Sequence, residues 1–415
     1  MRYTHNLPFW LLLFIIAGMI SGCRKAYNPT ITQFSNILIV EGNIESGSDS
    51  TFIKLSRTVK ISSKTALNPE QNAQVTVESD QNTSYPLTEI KPGTYATAGL
   101  NLDKTHQYRL SIRTSAGKQY ASDLVPVLDS PPIDSLDFDG NGGPASGPGM
   151  NVYVNTHDAT GKVQYFRWSF TETWEFHSAF ESLYYSDGDT VLHRNFINDD
   201  IYFCWRSDTS TSLVLGSSAK LSKSVISNQP VTFVPSSSEK VSVEYSILVQ
   251  QYALTPGAYN FYSILRKNTE QLGSIFDAQP SELRGNIHCV NNPNEPVIGY
   301  ISVGAPSFQR MFVRVSQLPV WTPVTYYTTS GCHLVTDPRD PRMPCCYYQF
   351  KNEYGYTENQ VDEYINYNIG HFNPPFIPID GLGPPERPPI GFTAATQDCA
   401  DCRLRGTNVP PAFWR

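Results

Sequence analysis

The chain has 415 residues, a net charge of -7 and only 17% charged residues, with Tyr (24), Phe (21) and Pro (31) abundant. That length accommodates two or three domains with sizeable cores, and the composition favours many short strands and proline-punctuated loops over helices. Scattered Lys and Arg supply no basic face, which excludes nucleic acid from the expected partners.

Residues 1–22 read as a lipoprotein signal peptide. Arg2 gives a positive start, residues 7–20 are almost uninterruptedly apolar, and Ile20-Ser21-Gly22-Cys23 forms a small-residue cleavage site ending in cysteine. The run is short for a permanent span, and Cys23 is placed to accept a diacylglyceryl group before cleavage leaves it as the first mature residue. The expected location is the outer membrane, held there by acyl chains such as palmitate. No second apolar segment of spanning length follows. Residues 23–35 form a polar, lipidated tether. Some Bacteroidota lipoproteins that this signal resembles carry acids after the lipidated cysteine, which mark export to the cell surface. Arg24 and Lys25 stand there instead, so the periplasmic and the outer face both stay open.

Residues 36–128 carry strands at sandwich-like intervals. Ile37-Leu38-Ile39-Val40 is a buried run closed by Gly42; Val75 and Val77 alternate with Thr76 and Glu78; Tyr108, Leu110 and Ile112 alternate with Arg109, Ser111 and Arg113. Period two means one buried face per strand. Turn signals at 46–49, 91–93 and 115–117 separate the strands, the last closing a hairpin onto Tyr120. An antiparallel β-sandwich of about seven strands is expected. The order VEGNI, IKLSRT, VTVES, GTYAT, YRLSIRT, GKQYASD resembles prealbumin-like or carboxypeptidase-regulatory domains, which implies a spacer or docking module.

Asp129-Ser130-Pro131-Pro132-Ile133-Asp134 marks a boundary, since two prolines in a polar stretch stop a strand. Residues 129–317 read as a second β-rich unit. Its glycine-rich stretch, 140–149, lacks a following Gly-Lys-Ser/Thr and has only Asp137 and Asp139 nearby, so it is a loop rather than a phosphate or calcium site. Phe166, Trp168 and Phe170 face one way and Tyr165, Arg167, Ser169 and Thr171 the other; a tryptophan so placed resembles the core Trp of immunoglobulin-like (Ig-like) sandwiches. Val241, Val243, Tyr245, Ile247 and Val249 give the longest alternating strand, expected at the centre of its sheet. One helix is expected near 256–272, with Thr255 as N-cap, Pro256 first, and Ala258, Phe261, Tyr262 and Leu265 recurring on one face, its Tyr and Phe read as core rather than as a ligand box. Gly273 ends it, and Asn/Pro turns return the chain to strands.

Residues 318–415 form a proline-rich extension with little core pattern, expected to pack on the second unit. Apart from Cys23 there are seven cysteines, Cys204, Cys289, Cys332, Cys345, Cys346, Cys399 and Cys402. Beyond the inner membrane disulfides are the default. Three bonds are expected, at least one joining the 332–346 cluster to Cys399 or Cys402, with the remaining thiol buried and free or paired with another chain. Zinc held by Cys345, Cys346, Cys399 and Cys402 with His333 or His371 has the wrong spacing for a knuckle. A redox role for Cys399-Ala-Asp-Cys402 lacks the surrounding βαβ pattern. No cofactor or metal is expected.

Nucleophile elbows, zincin and kinase signatures and phosphate loops are missing from the sequence. Asp187, Asp189, Asp199 and Asp200 read as solvated loop acids rather than an acid/base pair. No catalytic residue is singled out, and a non-enzymatic protein is expected. Trp321, Tyr326, Tyr327 and Trp414, with Tyr347 and Tyr348, are candidate ligand contacts for a glycan or peptide, set against simple packing of the tail.

Cys23, LIVEGNI, GSIFDAQPSELRGNIHC (273–289), PVIGYISVGAPS (296–307) and DCADCRLRGTNVPPAFW (398–414) together resemble the Bacteroidota outer-membrane lipoprotein family labelled domain of unknown function 4249. Members are commonly encoded beside TonB-dependent receptors, so the resemblance implies an accessory or binding subunit associated with such a receptor and assigns no catalytic residue. The alternative is a surface glycan- or peptide-binding lipoprotein and, less favoured, a hydrolase. The expected fold is mainly β: a prealbumin-like or Ig-like sandwich, a second Ig-like unit with one helix, and a disulfide-stapled tail.

Overall fold

The computed structural model describes residues 36–59, 68–142, 147–186, 191–270, 283–334, 336–337, 340–344, 349–351, 357–359, 376–382, 389 and 391–414. The signal peptide, Cys23, the tether to residue 35, Asp187, Asp189, Gly273, Cys345, Cys346, Tyr347, Tyr348 and His371 lie outside them. The protein is mainly β, as its composition and alternation imply.

The first sandwich begins with β1 (Leu38–Asn43), β2 (Thr51–Arg57), β3 (Gln74–Ser79), β4 (Ser84–Lys91), β5 (Thr94–Thr97), β6 (Gln107–Arg113), β7 (Gln119–Ser122) and β8 (Val125–Pro126). Alternation does what it should: in β6, Tyr108, Leu110 and Ile112 are buried while Arg109 faces solvent and pairs with Glu78. The turn after β6 is closed by Thr114 and Lys118, and Gly117 supplies its positive φ, so Ile112 meets Tyr120. β4 passes from one layer to the other. Its first half pairs with β3 and its second with β5, and the two layers close over Val40, Ile53, Leu55, Val75, Val77 and Leu110.

The second sandwich sets β9 (Ile133–Asp139), β10 (Gly149–His157) and β16 (Val225–Pro235) against β11 (Tyr165–His177), β14 (Phe203–Thr209), β17 (Glu244–Leu254) and β20 (Ser307–Arg314), in the orders β16-β10-β9 and β14-β11-β17-β20. Short strands β12 (Tyr184–Ser186) and β13 (Val191–His193) pair with each other, and β15 (Val214–Ser217) pairs antiparallel with the first residues of β11. Trp168 is 1% exposed in the core between these sheets. Helix α1 (Pro256–Glu270) begins where the cap predicts, with the Thr255 hydroxyl accepting from the Ala258 N–H at 3.2 Å.

Two expectations need correction. Val241 is not in a strand: the Ser238 side chain accepts from the Lys240 N–H and caps a 3-10 turn, so β17 starts at Glu244, and β11 is the longer strand. More consequentially, the second unit is not the continuous block 129–317. Strands β18 (Ile287–Cys289) and β19 (Val297–Gly299) leave it and complete the first sandwich, β18 antiparallel to β7 and β19 parallel to β1. Ile287, Cys289, Val297, Ile301 and Val303 are buried in the first core. The physical reason is that β1 and β7 would otherwise end the sheet as open edges, which an apolar return strand covers. The loop between β18 and β19 is clamped by Glu295, which accepts from the Tyr120 hydroxyl at 2.6 Å and the Lys118 ammonium at 2.7 Å. Burial, then that hydrogen bond, push the Tyr120 phenol up to about 12.

The first crossing between the sandwiches is pinned on both sides. Asp129 accepts from the Ser46 hydroxyl at 2.6 Å and the Ala305 N–H at 2.9 Å and pairs with Lys104. Pro131 O accepts from the Gln251 amide at 2.8 Å. Burial alone would raise the Asp129 carboxyl, but the Ala305 N–H, Lys104 and Ser46 outweigh it and hold it below the usual carboxylate value. A depressed folded pKa contributes stability that is present above the unfolded pKa and lost as pH falls through the folded one. Asp129→Asn is therefore expected to destabilise at about pH 7 and far less at about pH 3. Denaturant unfolding at both pH values checks it, and an equal deficit at each would show that the charge plays no part.

The C-terminal extension packs on the second unit. Cys402 is bonded to Cys204 of β14, and Cys399 to Cys332. Backbone bonds pair Thr407 with Trp205. The hairpin of Phe376–Leu382 with Gly391–Thr396 buries Ile379, Phe392 and Ala395 against Phe180, Leu183 and Tyr184, and short helices form at Tyr326–Ser330 and Gln397–Ala400. Cys289 is a buried free thiol in the first core.

Candidate binding cleft

A cleft of about 600 Å³ opens between the two sandwiches. Its first wall is the outer face of β1 and β2 with β19: Ile39, Glu41, Phe52 and Ile298 alternate with the buried Leu38, Val40, Ile53 and Val297. Phe52 is 53% exposed, which period-two alternation forces once Ile53 is committed to the core. Gly42 permits this edge to lie close, since a Cβ there would sit 2.4 Å from the Phe52 carbonyl and its φ of +142° suits glycine.

The second wall comes from β11, β17 and α1. Burying Phe166 and Trp168 turns Arg167 outward, and the β11–β17 register sets it opposite Tyr252. Helical spacing then brings Phe261, Tyr262 and Leu265 to the same opening. The Arg167 guanidinium carbon lies 4.1 Å from the Tyr252 ring centroid and 4.9 Å from that of Tyr262. Tyr300, just beyond β19, reaches across so that its hydroxyl meets that of Thr255 at 3.2 Å; Gly257 leaves room, as a Cβ there would come 2.8 Å from that hydroxyl.

Electrostatically the cleft is mixed. Burial raises the Tyr252 phenol, with Arg167 partly offsetting it. Burial also raises the Glu45 carboxyl, whose Oε1 accepts from the Gly47 N–H at 3.1 Å. Arg109, Arg314 and Arg405 each hold a glutamate, whereas Arg167 has no ion-pair partner among the described residues, and its buried Nε has no hydrogen-bond acceptor there. This arrangement suits capture of a ligand with apolar bulk and a polar end.

Trp321, Tyr326, Tyr327 and Trp414, expected to contact ligand, lie elsewhere. Trp321 packs against the second core. Tyr326 donates to Asp398 at 2.8 Å and carries Arg405 over its ring; Tyr327 stacks on His177; Trp414 sits edge-on to Trp205 and Phe312. Trp321, Tyr327 and Trp414 hold the extension to the second unit and Tyr326 ties the extension to itself, because a segment with little apolar pattern uses large rings as its packing surface. Asp199 pairs with Arg194 and Arg403, and Asp200 accepts from the Tyr202 N–H, so both acids are structural. Cys399 and Cys402 point to different disulfide partners, and His333 bonds the Gly331 carbonyl, leaving neither thiol available as a zinc ligand. Arg167, Tyr252 and Phe52 were not singled out in the sequence; the outward position of Arg167 beside Trp168 was readable, but not what it faces.

A family model described as "Domain of unknown function (DUF4249)" matches residues 24–310. No curated protein matches the chain. Among solved structures, a two-domain fibronectin type III segment of chicken tenascin is similar at 14% identity and a TM-score of 0.16, over 53% of this chain and 91% of that one.

Proposed function

The chain belongs to the DUF4249 family, and on that premise we propose that it is a lipid-anchored, non-enzymatic binding subunit of the outer membrane, working beside a TonB-dependent receptor. The observation that carries the binding role is the aromatic cleft between the sandwiches, with Arg167 held against two tyrosines at its wall. The anchor rests on the cleavage-site sequence ending in Cys23, and the receptor on the resemblance to proteins encoded beside such receptors. Confinement to one membrane raises the effective concentration of each partner, so even weak intrinsic affinity suffices.

Pull-down of the tagged lipoprotein from detergent-solubilised membranes is expected to recover a TonB-dependent receptor. Cys23→Ala is expected to move the protein from the membrane to the soluble fraction and to lower that recovery. Recovery of no outer-membrane protein under mild crosslinking would reject the partnership, and unchanged fractionation would reject the anchor. Free-standing capture of a glycan or peptide is the second reading, now favoured at the cleft rather than at Trp321 and Trp414, which are engaged in packing.

A further inference from the structure

The Arg167 guanidinium carbon lies over the Tyr252 and Tyr262 rings, 4.1 and 4.9 Å from their centroids, one of its donors is engaged by the Tyr252 side chain, and its N–H groups lie in the guanidinium plane. The buried Nε has no acceptor among the described residues. Arg167 lines the cleft and has no ion-pair partner among the described residues, and a planar two-oxygen acceptor matches the donor edge of a guanidinium best. Around it the cleft offers apolar surface from Ile39, Phe52, Phe261, Leu265 and Ile298.

We infer that the cleft takes an organic carboxylate, with the carboxylate on Arg167 and an aromatic or aliphatic body against the Phe52 and Phe261 side. This rests on the binding reading of the cleft given above. The β11–β17 register fixes Arg167 on a rigid sheet rather than a loop, so the site is formed before the ligand arrives. Glu41, on the facing strand, disfavours anionic groups elsewhere in the cleft and sets the ligand's orientation.

The test is calorimetry on the full mature chain with Cys23→Ser, free of detergent, using N-acetylphenylalanine and benzoylglycine with their matched primary amides. Each acid is expected to bind saturably and each amide about tenfold more weakly. Arg167→Met should abolish that preference, and Arg167→Lys should keep part of it, since charge remains but the planar fork is lost. Unchanged circular dichroism and melting of both variants establish that the fold is intact. Equal binding of acid and amide, an acid preference that survives Arg167→Met, or displacement of the acid by equimolar inorganic phosphate would overturn the carboxylate assignment. If the equal binding is weakened by Phe52→Asp, the cleft still binds and only the carboxylate inference fails. No binding of any probe at millimolar concentration sinks both.

Discussion

Replacing Cys204 and Cys402 together by serine is expected to produce the largest loss of stability that two substitutions can cause here. The bond spans 198 residues of sequence, and restricting a loop of that size in the unfolded chain is worth about 5 kcal/mol in the chain-entropy account. Both sulfurs lie in the second core, at 0% exposure, so serine also places unsolvated hydroxyls there. Melting of the double variant should fall by on the order of 10 °C relative to the oxidised protein, and reductant should bring the unmodified protein towards the same value. Equal melting temperatures would mean that the Thr407 to Trp205 pairing and the Arg405 to Glu239 ion pair already hold the tail unaided.

The second large effect centres on Gln251, fully buried in β17. Its carbonyl accepts from the Trp168 indole N–H at 2.9 Å, and its amide donates to Pro131 O at 2.8 Å and Thr156 Oγ1 at 3.1 Å. One side chain thus ties the core tryptophan to the crossing between the sandwiches. Gln251→Leu strands the indole N–H in the core, at about 1 to 3 kcal/mol, while Pro131 O keeps its 2.8 Å bond from the Ser307 hydroxyl. Trp168→Phe removes the orphaned donor, so the pair Trp168→Phe/Gln251→Leu should cost less than the sum of the single changes, a coupling a double-mutant cycle reads directly. Hydrogen exchange of residues 130–135 should rise in Gln251→Leu. A strictly additive cycle with unchanged exchange would remove Gln251 from this role.

Periodicity made much of this fold legible and pairing did not. The alternation at Val75 and Val77, the 115–117 turn, the Thr255 cap and the inward Trp168 were all readable, because each is decided by neighbours a few residues away. That β1 pairs with Val297-Ile298-Gly299 is decided by a strand lying over 250 residues later, and period two says which face is buried without naming the partner. The cysteines behaved likewise: their number and clustering were visible, but Cys204 finding Cys402 depends on where β14 lies. The cleft was hidden most completely. Its walls come from residues near 40, 167, 252, 262 and 300, of which only the Phe and Tyr of the helix had a ligand role weighed from sequence, whereas the tail aromatics advertised themselves by composition and Trp321, Tyr327 and Trp414 make packing contacts with the second unit.

The return of β18 and β19 to the first sandwich sets an order on assembly. As the chain emerges from its N-terminus, β1 and β7 present bare edges until residues 287–299 arrive, by which time most of the second sandwich already exists. The last event in building the N-terminal layer is therefore a long-range closure, slow by the entropy of the loop it must shut. A fragment ending at residue 128 would keep both edges open and pair with its own copies, while one that keeps residues 129–285 but stops short of Ile287 would leave the first sandwich without β18 and β19 and the second without β20 beside β17.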